Sequence, residues 1–322
     1  MKAIHFLFRG MKMLLNSDFY DLTQAFQGAL FQAGIALQPT GLPPASNPLL
    51  QLRRGYAESP AWFMVQAQEF EPEPLSVECI RIRAVWSSQG IVRALLDLMA
   101  SERWFDRIGE DYHLTDEGRT IIHSITERRQ LILTPLIAYL GAESVEPLEA
   151  LMRRALDASL AQAEPPNTWS LAHSRRRAPG DDAPTVFKLF HYCADLNAYR
   201  DDAHMTAFQP LGVEAYAWEA FGSIWCDLAH TAQGLFEALP HRGYSRTEYH
   251  EGLRDLAQRG WIGTDDGESY VITDEGRTVR EAAERLTDQY FYAPWQCLMD
   301  SGVETLHSLL TNTKTMLEGV KM

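Results

Sequence analysis

Apolar residues recur at helical spacing of three and four along most of this chain, and short stretches of strand character interrupt that rhythm. Phe19, Leu22, Phe26, Leu30 and Ala33 predict a helix over residues 18–37, ended by the Pro-rich run 39–48 and expected to act as a packing arm. Pro60 opens a second short helix through AWFMVQAQEF. Ser76 is a plausible N-cap for the next, and a helix beginning at Ser87 or Ser88 completes a helix-turn-helix. From Trp104 to Leu114 the pattern reads strand, turn, strand, and a helix over Ile121–Leu140, interrupted at Pro135, follows, with another from Pro147 to Gln162.

The stretch Glu164–Thr185, with four prolines and the turn-forming Pro179-Gly180-Asp181, is the expected linker between a domain 1–163 and a domain 186–322. The second half opens on a long helix, Val186–Phe208, continues through apolar helices around Trp218 and Trp225, enters a second helix-turn-helix near Thr231, and closes with a helix over Val303–Met316.

The two halves share more than an element order. Thr-Asp-Glu-Gly-Arg-Thr occurs at 115–120 and again at 273–278, and Ser88, Leu96, Trp104, Tyr112 and Leu114 find Ser245, Leu253, Trp261, Tyr270 and Ile272 at near-constant offset. The expected fold is mainly α with small β wings: two winged helix-turn-helix modules in tandem, forming an internal pseudo-dimer. The helices after each wing, Ile121–Leu140 and Gly276–Trp295, would pack on each other through Leu131, Ile132 and Leu136 against Tyr290, Phe291 and Trp295.

The segments LLDLMASERWFDRIGEDYHLTDEGR and LRDLAQRGWIGTDDGESYVITDEGR resemble the recognition helix and wing of MarR-type winged-helix proteins over about 35 residues per copy, the second more closely. The stretch LNAYRDDAH is similar to large bacterial winged-helix proteins. The resemblance implies a ligand-responsive transcriptional regulator that binds double-stranded DNA. It also implies a small-molecule effector and a dimer interface built from terminal helices, which one chain could supply as a monomer with an internal pseudo-dimer or as a weak homodimer.

Charge modifies this picture. The formal net charge of −14 opposes a polyanion at long range, so DNA binding needs a local cationic surface. Arg246, His250 and Arg254 fall at i, i+4 and i+8 on one face of the second recognition helix, with Thr247 beside them. Glu248, Glu251 and Asp255 accompany the arginines and favour an ordinary solvated face. The first copy offers the thinner set Gln89, Arg93 and Arg107, and its expected role is architectural. Acidic wings, with Asp106, Glu110 and Asp111 in one and Asp265, Asp266 and Glu268 in the other, argue against minor-groove insertion and favour a scaffold that binds a small molecule or protein without DNA.

A possible ligand site is His191, Asp195 and Asp202 on one helical face with Asp201 and His204 on the neighbouring one; its plainer reading is a structural network in which Arg200 pairs with an aspartate and His204 packs. Gln66 and Gln68 resemble the Q-x-Q of a class of winged-helix DNA glycosylases, a remote enzymatic alternative. No Gly-rich phosphate loop or hydrolase elbow occurs, and Cys79, Cys193, Cys226 and Cys297 form no C-x-x-C pair, so no cofactor or metal is expected and a reducing cytoplasm suits the chain. The longest apolar run, Leu131–Ala142, is too short to span a bilayer, so no membrane association is expected. The first fifteen residues carry Arg9, Gly10 and Lys12 and do not read as a signal peptide; Met11 and Met13 leave the natural start open.

Overall fold

A computed structural model describes residues 15–37, 60–166, 169–264 and 266–320. The natural start and the Pro-rich run 39–48 lie outside the described residues. Among those described, helix dominates: α1 (Ser17–Leu37), α2 (Pro60–Ala67), α3 (Val77–Ile80), α4 (Gln89–Ser101), the hairpin β1 (Phe105–Ile108) and β2 (Asp111–Leu114), α5 (Asp116–Leu133), α6 (Leu136–Leu140), α7 (Ala142–Leu160) and α8 (Trp169–Arg175). Then come α9 (Thr185–Phe208), α10 (Ala215–Trp225), α11 (Ala232–Ala238), α12 (Arg246–Gln258), the short hairpin β3 (Ile262–Gly263) and β4 (Val271–Ile272), α13 (Asp274–Tyr292) and α14 (Met299–Glu318). Among the described residues no single helix is long and apolar enough to cross a membrane.

Side-chain caps fix the helix starts that the sequence marked. The hydroxyls of Ser76, Ser88, Thr231 and Ser245 each accept a backbone N–H of the first turn of α3, α4, α11 and α12. Pro135 separates α5 from α6. Two boundaries differ from expectation. α7 begins at Ala142 rather than Pro147, because Val145 and Leu148 both bury in the core and the helix carries Pro147 inside at the loss of one backbone hydrogen bond. α13 stops at Tyr292, and residues 293–298 form a 3₁₀ turn around Pro294.

The chain forms two compact units, residues 1–45, 123–203 and 287–322 in one and 46–122 and 204–286 in the other. They do not coincide with the sequential halves 1–163 and 186–322 expected from the repeat. The expected linker contains α8, whose Leu171 is fully buried. Its first turn is held by tertiary contact: the Asp202 carboxylate accepts the Ser170 and Leu171 N–H groups at 2.8 and 2.9 Å.

In the first, helical unit, α1 lies along α14 and α7 packs on the 293–298 turn. Phe19 anchors this core, with its ring 5.4 Å from Trp295 and stacked on Tyr292, while the Tyr292 hydroxyl donates to the Asn16 carbonyl. The expected contact of α5 with α13 is corrected in detail. Leu136, Phe291 and Trp295 bury as predicted, but Leu131 is 55% exposed, Leu133 takes the core position, and Ile132 packs against Gly34 of α1. The frame slips by two residues because α1, which helical periodicity alone does not place, occupies the neighbouring surface.

In the second unit both repeated segments fold as helix, hairpin, helix. The shared hexapeptide closes the joint between hairpin and helix in the same way twice. Thr115 N–H donates to the Trp104 carbonyl and Thr273 N–H to that of Trp261, at 3.0 and 3.1 Å. The same threonine hydroxyls accept from Gly118 N–H and Gly276 N–H, both at 3.0 Å. A Cβ at Gly118 would fall 2.3 Å from the Trp104 oxygen, and one at Gly276 1.9 Å from that of Trp261, so the motif's glycine is demanded by close backbone approach. Leu114 ends β2 and Ile272 ends β4, each on a strand as the repeat requires.

Candidate nucleic-acid interface

α12 is built to show one face. Ser245 and Glu248 form a reciprocal capping box that starts the helix. Tyr249, Gly252, Leu253 and Leu256 point inward to a core of Trp218, Phe221 and Trp261. Gly252 lets α10 come close, since a Cβ there would lie 2.9 Å from the Tyr216 ring. Arg246, Thr247, His250 and Arg254 are consequently all exposed on the opposite side.

Among the described residues no carboxylate lies within 4.0 Å of Arg246, His250 or Arg254. The acidic residues that seemed to counter this stripe are mostly occupied elsewhere. Glu248 accepts from the Ser245 N–H and hydroxyl, both at 2.7 Å, and Asp255 pairs with Arg259 at 2.8 Å. Only Glu251 remains exposed beside the arginines. In the hairpin that follows, Asp266 accepts from the Glu268 and Ser269 N–H groups and the Thr264 hydroxyl, which hold its carboxyl below the usual range. Its acidity therefore serves the turn.

α4 carries the same fold with a different surface. Gln89 is exposed, but Arg93 donates to Glu110 at 2.6 Å and Arg107 reaches Asp97 at 2.9 Å and Glu110 at 3.3 Å. The hydrogen bond from Arg93 holds the Glu110 carboxyl low, and the same bond raises Arg93. The start of α4 is also covered. Ser88 N–H donates to the Arg242 carbonyl at 2.8 Å and its hydroxyl to that of Gly243 at 2.9 Å. Gly243 has a left-handed φ of 72° and sits so close to Ile91 that a Cβ would fall 2.5 Å from it. Nothing in the sequence marks this contact, because it joins residues 155 apart.

Of the possible ligand site, only His191 and Asp195 come together, both buried and 3.3 Å apart, while the other members are engaged separately. Asp195 is buried against Ser174 and Arg175, Asp202 caps α8, and Asp201 lies near Tyr20, whose hydroxyl it helps to raise. His204 accepts the Trp218 indole N–H at 2.9 Å and packs among Trp86, Phe208 and Trp218, so its Nε2 carries no proton. Arg200 pairs with Asp288 at 2.8 Å, in keeping with the structural-network reading. No group of three or more His, Cys, Asp and Glu among the described residues is placed to hold a metal ion. Gln66 is buried with its carbonyl oxygen unpartnered, whereas Gln68 is exposed, so the two share no site.

No curated protein and no solved structure matches the chain. The sequence profile of a helix-turn-helix family does match, over residues 158–320, a span of half the chain that contains α9 to α14 and hence the whole of the exposed α12 surface. With that match over half of its length, and with the capped helices α11 and α12 inside it, the chain belongs to the helix-turn-helix family.

Proposed function

We propose that this protein is a DNA-binding regulator of MarR-like descent in which α12 alone enters the major groove. The two helix-hairpin-helix segments are read as winged-helix modules produced by duplication, the first retained as scaffold. The observation that carries this is the exposed Arg246, Thr247, His250 and Arg254 stripe, free of carboxylate partners among the described residues, against a first segment whose Arg93 on α4 and Arg107 on β1 are both paired with carboxylates. Arginine on such a face can read guanine O6 and N7, with threonine and histidine supplementing it.

The start of α4 supports one reading helix rather than two. Paired recognition helices that read successive major grooves sit about 34 Å apart. Here α4 begins on Arg242 and Gly243, and the three residues to Arg246 span at most about 11 Å. Two adjacent grooves are out of reach from these two starts.

Fluorescence anisotropy with pools of genomic fragments, at several salt concentrations, tests the reading. Binding that weakens with salt and depends on Arg254 but not on Gln89 supports it. Complete absence of binding at low salt would transfer the weight to a second reading, a helix-turn-helix scaffold for a protein or small-molecule partner. The Arg93–Glu110 and Arg107–Asp97 pairs and the net charge of −14 favour that second reading.

A further inference from the structure

The two hairpins of the second unit are fastened by different bonds. In the first, Leu75 and Tyr112 exchange backbone hydrogen bonds: Leu75 N–H donates to the Tyr112 carbonyl and Tyr112 N–H to that of Leu75, both at 2.8 Å. In the second, Tyr270, which the repeat aligns with Tyr112, donates its N–H to the His230 carbonyl at 2.9 Å. The return bond to the Tyr270 carbonyl comes from a side chain instead, with His230 Nδ1 2.9 Å away. The other ring nitrogen, Nε2, lies 2.8 Å from the Asp227 carboxylate.

Among the described residues Asp227 is the one carboxylate within 4.0 Å of His230. Its backbone takes a left-handed φ of 61°, a conformation that aspartate tolerates better than most residues. The neighbouring titratable groups are turned to other partners. Glu237 of α11 accepts from Gln233, Asp266 of the hairpin turn accepts backbone N–H groups, and the Tyr270 hydroxyl donates to the Gly267 carbonyl. Glu268 is exposed in the turn.

A carboxylate and a peptide carbonyl can only accept a hydrogen bond. Neutral imidazole carries one N–H, so it satisfies one of these two acceptors and turns a lone pair on the other. The doubly protonated ring donates to both. The first hairpin has no such dependence, because peptide groups make both of its bonds.

We propose that His230 is a proton-operated latch on the second hairpin. The charged ring fastens the Tyr270 carbonyl while bound to Asp227, and loss of a proton gives up one of the two bonds. The hold is therefore complete on the acid side and weakens as pH rises through the range where histidines change charge, around pH 6.5, well above that of aspartates as a class. This hairpin directly follows α12, so the latch bears on the segment with the exposed arginine stripe and not on that of α4. It is measured without DNA, so its failure and that of the DNA reading are distinguishable.

Amide hydrogen exchange of the full chain, read by NMR at about pH 5.5 and about pH 8 and corrected for the intrinsic pH dependence of exchange, is the test. The protection of the Tyr270 N–H is expected to fall roughly threefold or more between the two, while that of the Tyr112 N–H stays constant. His230→Leu, which supplies the residue type that fastens the first hairpin, should leave Tyr270 equally protected at both. If that variant fails to fold, the Tyr270 and Tyr112 amides of the unsubstituted chain decide. A Tyr270 amide that keeps its protection, or loses it in step with Tyr112, would overturn the proposal, as would a His230→Leu chain that still shows the fall.

Discussion

α4 and α12 begin from the same sequence pattern and end as different surfaces. Both are Ser-capped, both bury the leucine that the repeat aligns (Leu96 and Leu253), and both run into a hairpin locked by threonine and glycine. Yet the α4 arginine is held by Glu110 and the helix start is covered by Gly243, whereas α12 leaves its arginines exposed. The comparison teaches that buried residues maintain a fold while the exposed face is free to diverge. Two segments with the same buried pattern can therefore share an architecture and differ in surface chemistry.

The strongest way to sharpen the comparison is to strike the part the copies share. Gly276→Ala forces a methyl to 1.9 Å from the Trp261 oxygen, and Gly118→Ala forces one to 2.3 Å from that of Trp104. Each should destabilise by roughly 3 kcal/mol or more, since backbone on both sides must shift. Chemical denaturation measures this, and a neutral outcome for either would show that the two joints are not equivalent.

The copies should then part company in binding. Arg254→Ala should weaken specific DNA binding by about 1 to 3 kcal/mol if it makes a bidentate guanine contact, while Gln89→Ala leaves affinity unchanged. Equal losses would break the asymmetry between α12 and α4. A smaller and again symmetric effect is expected from Thr115→Val and Thr273→Val, which remove the hydroxyl that accepts the glycine N–H. About 1 to 2 kcal/mol of stability should go in each case, read from the denaturation midpoint.

Smallest of all is the release of Arg93. Glu110→Gln removes the carboxylate that engages Arg93 and Arg107 at an exposed site, so the unfolding temperature should barely change. If α4 is a silenced copy, the freed Arg93 should steepen the salt dependence of DNA binding by about one phosphate contact, while Arg107 stays paired with Asp97. An unchanged salt slope would mean that α4 does not face DNA at all.

Much of this was readable from local signals. The serine caps, the break at Pro135, the hairpins and the buried Tyr249, Leu253 and Leu256 face follow from hydrogen-bonding chemistry and helical periodicity within a few residues. The Arg246, His250 and Arg254 stripe was legible for the same reason. Two features escape local reading because distant chain intervenes. Within the proline-rich stretch after Glu164, Asp202 supplies the N-terminal partners that let α8 form. Leu131 was expected in the core, but α1 claims Ile132 and shifts the buried frame to Leu133.

The sequence by itself determined the repeated helix-hairpin-helix, its threonine-glycine joint and the faces of its helices, because each depends on periodicity and on groups close along the chain. Only tertiary structure decided which arginines of α12 stay unpaired, which carboxylates are already engaged, what covers the start of α4, and that Arg175 joins His191 at the buried Asp195. Those outcomes depend on charges and backbone brought together across scores of residues, and electrostatic pairing follows distance in space rather than separation in sequence.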